Sequence, residues 1–93
     1  GGERRAVAIL RALYFDPEIL LLDEPTVGLS EKAKNRVFSL VEESKEVSPI
    51  IFVTHNLANA IQLSDRIVTL RNGKVTKRFG KGEADRDKLL ASI

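Results

Sequence analysis

The run Ile19 to Leu22, closed at once by Asp23-Glu24-Pro25, constrains this chain more than any other stretch. An unbroken apolar run of strand length has no polar side to give to water, so it predicts a strand buried on both faces, as in a parallel sheet covered by helices. A second such run, Ile50 to Val53, ends on Thr54-His55-Asn56. Between the two, Ser30 is placed to cap a helix with Glu31 in its first turn. Ala33, Val37, Leu40, Val41 and Ser44 then fall along one helical stripe that Ser48-Pro49 ends. Upstream, Ala6, Ile9, Leu10 and Leu13 recur at i, i+3, i+4 and i+7, which predicts a helix from Glu3 to Tyr14 with one buried face.

Downstream of His55 the pattern predicts a short helix through Ala58, Ile61 and Gln62, then a strand over Arg66 to Leu70. Asn72-Gly73 supplies the two positive-φ positions of a type I′ turn, so 66–71 and 74–79 are expected to form a β-hairpin. A last helix from about Asp85 carries Leu89, Leu90 and Ile93. Alternation of helix and strand is the order of an α/β layered domain with a parallel sheet. No linker interrupts it, so one domain is expected over residues 1–93.

At 93 residues, a chain buries only about 60 to 65% of its unfolded surface, which leaves a single core marginal. There is no cysteine, so neither a disulfide framework nor a thiolate metal site is available, and the cytosol is the default compartment. No apolar run approaches the roughly 20 residues that cross a bilayer, and no signal-peptide pattern occurs. Fifteen basic against thirteen acidic residues leave a net charge of +2, too small to imply a nucleic-acid partner. The charge is uneven, because Arg66 to Gly82 holds six basic residues and no acidic one, interleaved with Ile67, Val68, Leu70, Val75 and Phe79. That segment is read as the solvated face of the hairpin, where lysines discourage edge pairing. The competing reading, a nucleic-acid contact through Lys74, Lys77 and Arg78, would show as salt-dependent binding.

Ligands of open α/β sheets bind beyond the carboxyl ends of the strands, where Asp23, Glu24 and His55 all fall. These residue types suit phosphoryl chemistry, in which one carboxylate holds Mg²⁺ through water, a second polarises the attacking water, and a donor meets the γ-phosphate. Singly, each has a plainer reading: Asp23-Glu24 as a solvated loop, His55 as a structural histidine. Gly1-Gly2 ahead of a helix is equally a simple turn or an anion site built from exposed N–H groups.

Taken in order, GGERR, ILLLDEPTVGLS, VTHN and DRIVTLRNGKV resemble the ATP-binding-cassette (ABC) ATPases over nearly the whole chain. The resemblance implies the C-terminal part of a P-loop NTPase three-layer α/β fold, with parallel core strands and a C-terminal β-hairpin. It implies that Gly1, Gly2 and Glu3 are the second half of the family's LSGGQ signature, which faces the γ-phosphate of ATP held by the opposite subunit. Asp23 takes the place of the Walker B aspartate that orders Mg²⁺ through water, Glu24 that of the general base, and His55 that of the switch histidine. Ser30 closes the D-loop stretch Val27-Gly28-Leu29-Ser30, where the family commonly has Ser-Ala-Leu-Asp. Ser caps a helix as well as Asp does, but a neutral hydroxyl cannot make the same charge-assisted contacts across a dimer.

DEPTVGLSEK is similar to the monosaccharide-importer branch. The implied protein is the energy-coupling subunit of a sugar importer, binding ATP and Mg²⁺ and hydrolysing ATP to ADP and phosphate. Its implied partners are a second ATPase subunit and integral-membrane permease subunits, with no nucleic acid, at the cytoplasmic face of the cell membrane. The alternatives are a soluble cassette ATPase acting on nucleic acid or ribosomes, and an inactive truncated remnant.

The residues before the two glycines, the aromatic adenine platform, the glutamine loop and the phosphate loop G-x-x-x-x-G-K-[ST] do not occur in the 93 residues, and the chain opens without Met. A fragment of a longer protein is therefore expected. In the implied fold, the strand leading into the phosphate loop lies between the one ending at His55 and the one running from Arg66. Without it, ladder groups and apolar faces are exposed, at about 1 to 3 kcal/mol per unsatisfied buried group against a net stability of about 5 to 15 kcal/mol. The isolated chain is expected to be inactive, and to be partly unfolded, aggregated or rescued by association.

Overall fold

The computed structural model describes residues 2–93. In order these form α1 (Gly2–Tyr14), β1 (Leu20–Asp23), α2 (Glu31–Ser44), β2 (Ile50–Val53), α3 (Leu57–Leu63), β3 (Ile67–Arg71), β4 (Lys74–Phe79) and α4 (Arg86–Ser92). They divide into two compact units, Gly1–His55 and Asn56–Ile93. Among the described residues β1 pairs only with β2, and β3 only with β4.

In the first unit β1 and β2 run parallel, in register from Leu20↔Ile50 to Asp23↔Val53. The ladder continues beyond both ends, through Leu20 N–H to the Pro49 carbonyl at 2.9 Å and Glu24 N–H to the Val53 carbonyl at 2.8 Å. Side chains alternate along a strand, so Leu20 and Leu22 enter the core with Ile9 of α1 and Val37 and Val41 of α2, while Ala12, Leu13, Leu40 and Ile50 close around them. α2 begins as its cap residue predicts, with Ser30 Oγ accepting from Ala33 N–H at 3.2 Å, and it turns Val37, Val41 and Ser44 inward. Buried Ser48 donates to the Pro17 carbonyl at 3.2 Å, which ties the end of α2 to the end of α1.

Two expectations are corrected here. The strands are not buried on both faces: Leu21 is 71% exposed, and Ile19, Ile51 and Val53 lie open with it. The two helices pack with the Leu20, Leu22 and Ile50 face, and within this unit the opposite face is open. In α1 the inward residues are Arg5, Ala6, Ile9, Ala12 and Leu13, not Leu10. Leu10 lies instead with Val7 and Tyr14 on a second, exposed stripe, while Ala12 packs against the core.

The second unit is built on the antiparallel pair β3 and β4, in register from Ile67↔Phe79 to Arg71↔Lys74 with a shift between Thr69 and Leu70. Its turn is the expected one, Asn72 and Gly73 having φ of 51° and 77°. Leu63 of α3, Thr69 and Phe79 of the hairpin and Leu89 of α4 are buried. α3 turns Asn59 and Leu63 inward, leaving Ala58, Ile61 and Gln62, which marked it in sequence, at the surface. Asn56 caps α3 by accepting from Asn59 N–H at 3.0 Å, and Asp85 caps α4 by accepting from Lys88 N–H at 2.8 Å.

Candidate catalytic site at the end of the parallel strands

The alternation that sends Leu20 and Leu22 inward puts Asp23 on the open face with Leu21, where it is exposed. Glu24 breaks the alternation. Its φ of 46° is left-handed, uncommon for a residue with a side chain, and three contacts hold it there. Its N–H donates to the Val53 carbonyl at 2.8 Å, its carbonyl accepts from Arg5 Nη1 at 2.7 Å, and its Oε1 accepts from the His55 backbone N–H at 2.9 Å. His55 Nδ1 meets the same Oε1. Since a carboxylate only accepts, Nδ1 carries the proton in this contact.

The turn that follows keeps this geometry. Val27 N–H donates to the Glu24 carbonyl at 3.3 Å and Leu29 N–H to that of Thr26 at 3.3 Å, around the buried Thr26. Gly28, at φ 78°, then turns the chain toward Ser30 and α2.

The Glu24 side chain is 24% exposed and that of His55 96% exposed, so the pair sits at the rim of the sheet with its imidazole open to solvent. The His55 side-chain hydrogen bond is the main cause that holds the Glu24 carboxyl below its ordinary 4.5. Burial opposes this, while the His55 backbone N–H, the His55 charge and Thr54 add to it. Glu24 is thus ionised at neutral pH. An ionised carboxylate on a rigid strand end, oriented by an imidazole, can polarise a water and take its proton.

The structure brings Glu24 and His55 into contact and leaves Asp23 beside them. Other candidates lie apart. Ser30 serves as the α2 cap, Glu3 is exposed and 3.5 Å from Arg36, Gly2 opens α1, and Gly1 lies outside the described residues. Among the described residues no group of three or more His, Cys, Asp or Glu side chains is placed to hold a metal ion. Asp23 alone offers an exposed carboxylate, which fits Mg²⁺, an ion bound through one or two carboxylates together with waters and substrate phosphates. The residue that the sequence reading missed is Arg5. Its signal was present: it stands four residues before Ile9 on the inward stripe of α1, where a charge is seldom placed without a partner.

No family model matches the chain. It is 31% identical over 93 residues to the ribose import ATP-binding protein RbsA 2 of Rubrobacter xylanophilus, over 99% of this chain and 18% of that protein. It is 44% identical over 85 residues to the molybdenum import ATP-binding protein ModC of Haemophilus influenzae, over 89% of this chain and 24% of that protein. Its fold is similar to the ATP-binding cassette MJ0796 in a dimeric post-hydrolysis state bound to ADP and Pi, with a TM-score of 0.72 and 30% identity over 86% of this chain and 35% of that one. The chain thus spans about a fifth of the length of the curated relatives it matches. In sequence and in fold, the chain is similar to one part of the ATP-binding-cassette proteins.

Proposed function

We propose that residues 1–93 supply the hydrolytic edge of a single nucleotide-binding domain that couples ATP hydrolysis to import across a membrane. The observation that carries this reading is the contact of Glu24 with His55 at the carboxyl edge of the parallel strands. Glu24 takes the proton of the attacking water. His55 orients it from two directions, through its backbone N–H and its ring, and Arg5 and Val53 fix the backbone from which it projects. The hydrogen bond that lowers the Glu24 pKa also weakens it as a base, so proton transfer requires that contact to loosen as the water is engaged. Asp23 would hold Mg²⁺ through water, and the ion, when bound, offsets phosphate charge.

Gly1, Gly2 and Glu3 are assigned to the opposite subunit's nucleotide, and Ser30 to the contact between subunits. The dimeric state of the similar cassette supports that pairing. Permease subunits are the second class of partner, placing the protein at the cytoplasmic face of the membrane. Import is supported by the names of both curated relatives. A monosaccharide as cargo rests on the DEPTVGLSEK stretch and on the ribose protein, while the molybdenum protein supports import without supporting sugar. With no phosphate loop in its 93 residues, the chain alone does not turn over ATP.

The test is a graft of residues 1–93 in place of the matching segment of the Haemophilus influenzae ModC protein. Phosphate release by the graft should fall by at least about 100-fold with Glu24→Gln, the scale of a lost general base, while ATP binding persists. A graft that binds and hydrolyses ATP equally well with Gln at position 24 would remove Glu24 from the chemistry.

A further inference from the structure

Residues 56–93 hold a concentration of charge that the hydrolytic reading does not use. Eight basic side chains stand there against four acidic ones. A hairpin that needed only a wettable surface could offset these charges with ion pairs. Among the described residues Lys81 lies 3.9 Å from Asp65, but Arg71, Lys74, Lys77 and Arg78 hold no ion pair.

The fold gathers part of this charge. Thr69 faces Lys77 and Ile67 faces Phe79 in the antiparallel register, so Lys77 and Phe79 share the face of the buried Thr69. Lys77 Nζ lies 5.2 Å from the centroid of the Phe79 ring, a cation–π contact that holds the ammonium over that face. Thr76, beside the register shift, meets Thr69 Oγ1 at 2.7 Å, hydroxyl to hydroxyl, and donates to the Ser92 carbonyl at 2.6 Å, fastening the end of α4 to the hairpin. Arg71, Thr76 and Lys77 of the hairpin and Lys88, Ala91 and Ser92 of α4 thereby line one groove of ≈ 400 Å³, a size within the range of small-ligand sites.

The donors of this groove select its ligand. Ser92 Oγ donates to the Leu89 carbonyl at 2.9 Å, and Thr76 Oγ1 donates to backbone carbonyls, so neither hydroxyl has a proton left to offer a ligand. What remains is three cations from three elements. Only Lys88 is compensated, by the Glu83 carbonyl at 3.2 Å and Asp85 at 3.9 Å. The opposite hairpin face carries exposed Val68, Leu70 and Val75 around a single cation, Arg78, which does not suit a long polyanion lying across the sheet.

We propose that this groove binds a small phosphate-bearing anion, with the Arg71 fork gripping two phosphate oxygens and Lys77 and Lys88 neutralising the remaining charge. Every residue involved lies within 56–93 and none belongs to the hydrolytic set, so the two assignments stand or fall separately.

Inorganic pyrophosphate is the probe, titrated into the 93-residue chain while the Arg71 Nε–H resonance and the urea-unfolding midpoint are followed. Binding to the folded state raises the midpoint. The expected result is a saturable shift of Arg71 with a raised midpoint. Arg71→Ala and Lys88→Ala should each weaken binding by about tenfold, and Arg4→Ala, on the exposed side of α1, should leave it unchanged. Vesicles containing phosphatidic acid distinguish the source: binding to both probes assigns a lipid headgroup, binding to pyrophosphate alone a soluble ligand. The proposal is overturned if the wild-type chain shows neither response, if Arg4→Ala weakens binding as much as Arg71→Ala, or if an RNA oligonucleotide binds more tightly per phosphate than pyrophosphate does.

Discussion

Residues 1–55 and residues 56–93 each hold one two-stranded sheet, and each covers it by different means. In the first, the strands are parallel and the chain must travel through a whole helix to bring them together, so Glu24 and His55 meet across 31 positions. In the second, a two-residue turn joins the strands directly, and Thr69 meets Thr76 across 7. The first holds seven basic and nine acidic side chains, the second eight and four. The chemistry we assign to each follows: a carboxylate site that needs a metal ion and phosphates brought to it, and a cationic groove that attracts phosphate by itself. Long-range pairing creates a strand end at which distant residues converge, whereas the hairpin achieves order locally and spends its surface on charge.

The largest effect that would sharpen this comparison is in the second core. Leu89 is 1% exposed on a short helix, and Leu89→Ala should cost about 2 to 5 kcal/mol, read as a lowered urea midpoint. A loss well under that range would mean that α4 adds little to the hairpin. Next is Gly73, at φ 77° with open space around it. Gly73→Ala should cost about 1 to 2 kcal/mol from left-handed strain alone, and a neutral result would show that the turn does not hold the register. The smallest change in stability is expected at the open face of the parallel pair. Leu21→Thr should alter folding by no more than about 0.5 kcal/mol but reduce self-association of the chain in sedimentation, because it interrupts the exposed Ile19, Leu21, Ile51 and Val53 surface. Unchanged association would place the sticky surface elsewhere, the Val7, Leu10 and Tyr14 stripe of α1 being the next candidate.

What could be read in the sequence divides along the same line. The hairpin, its turn and the capping residue Ser30 depend on neighbours a few positions away, and all three appear where the residues place them. Both apolar runs are strands and they pair in parallel. Which of their faces is covered was not legible, because an apolar residue is equally apolar whether something lies over it or not. Rotation of α1 was misread for a related reason: Leu10 looks like a better core residue than Ala12, but the inward face of a helix is set by how closely it must approach its neighbours. At the site, Asp23, Glu24 and His55 announce themselves by residue type at strand ends. The left-handed turn that aims Glu24 at His55, and the Arg5 guanidinium that caps its carbonyl, are visible only once the chain has folded back on itself.

The central claim is that Glu24 and His55 form one unit at the end of the parallel strands, and titrating the Glu24 carboxyl by carbon NMR tests it most directly. The His55 contact depresses the folded-state pKa. It therefore contributes stability that is present above the unfolded pKa and lost as pH falls through the folded one. The account predicts a Glu24 midpoint below its ordinary 4.5, rising toward that value in His55→Ala, with the mutant losing less stability than the wild type on acidification. A Glu24 midpoint that is the same with and without the imidazole would contradict it.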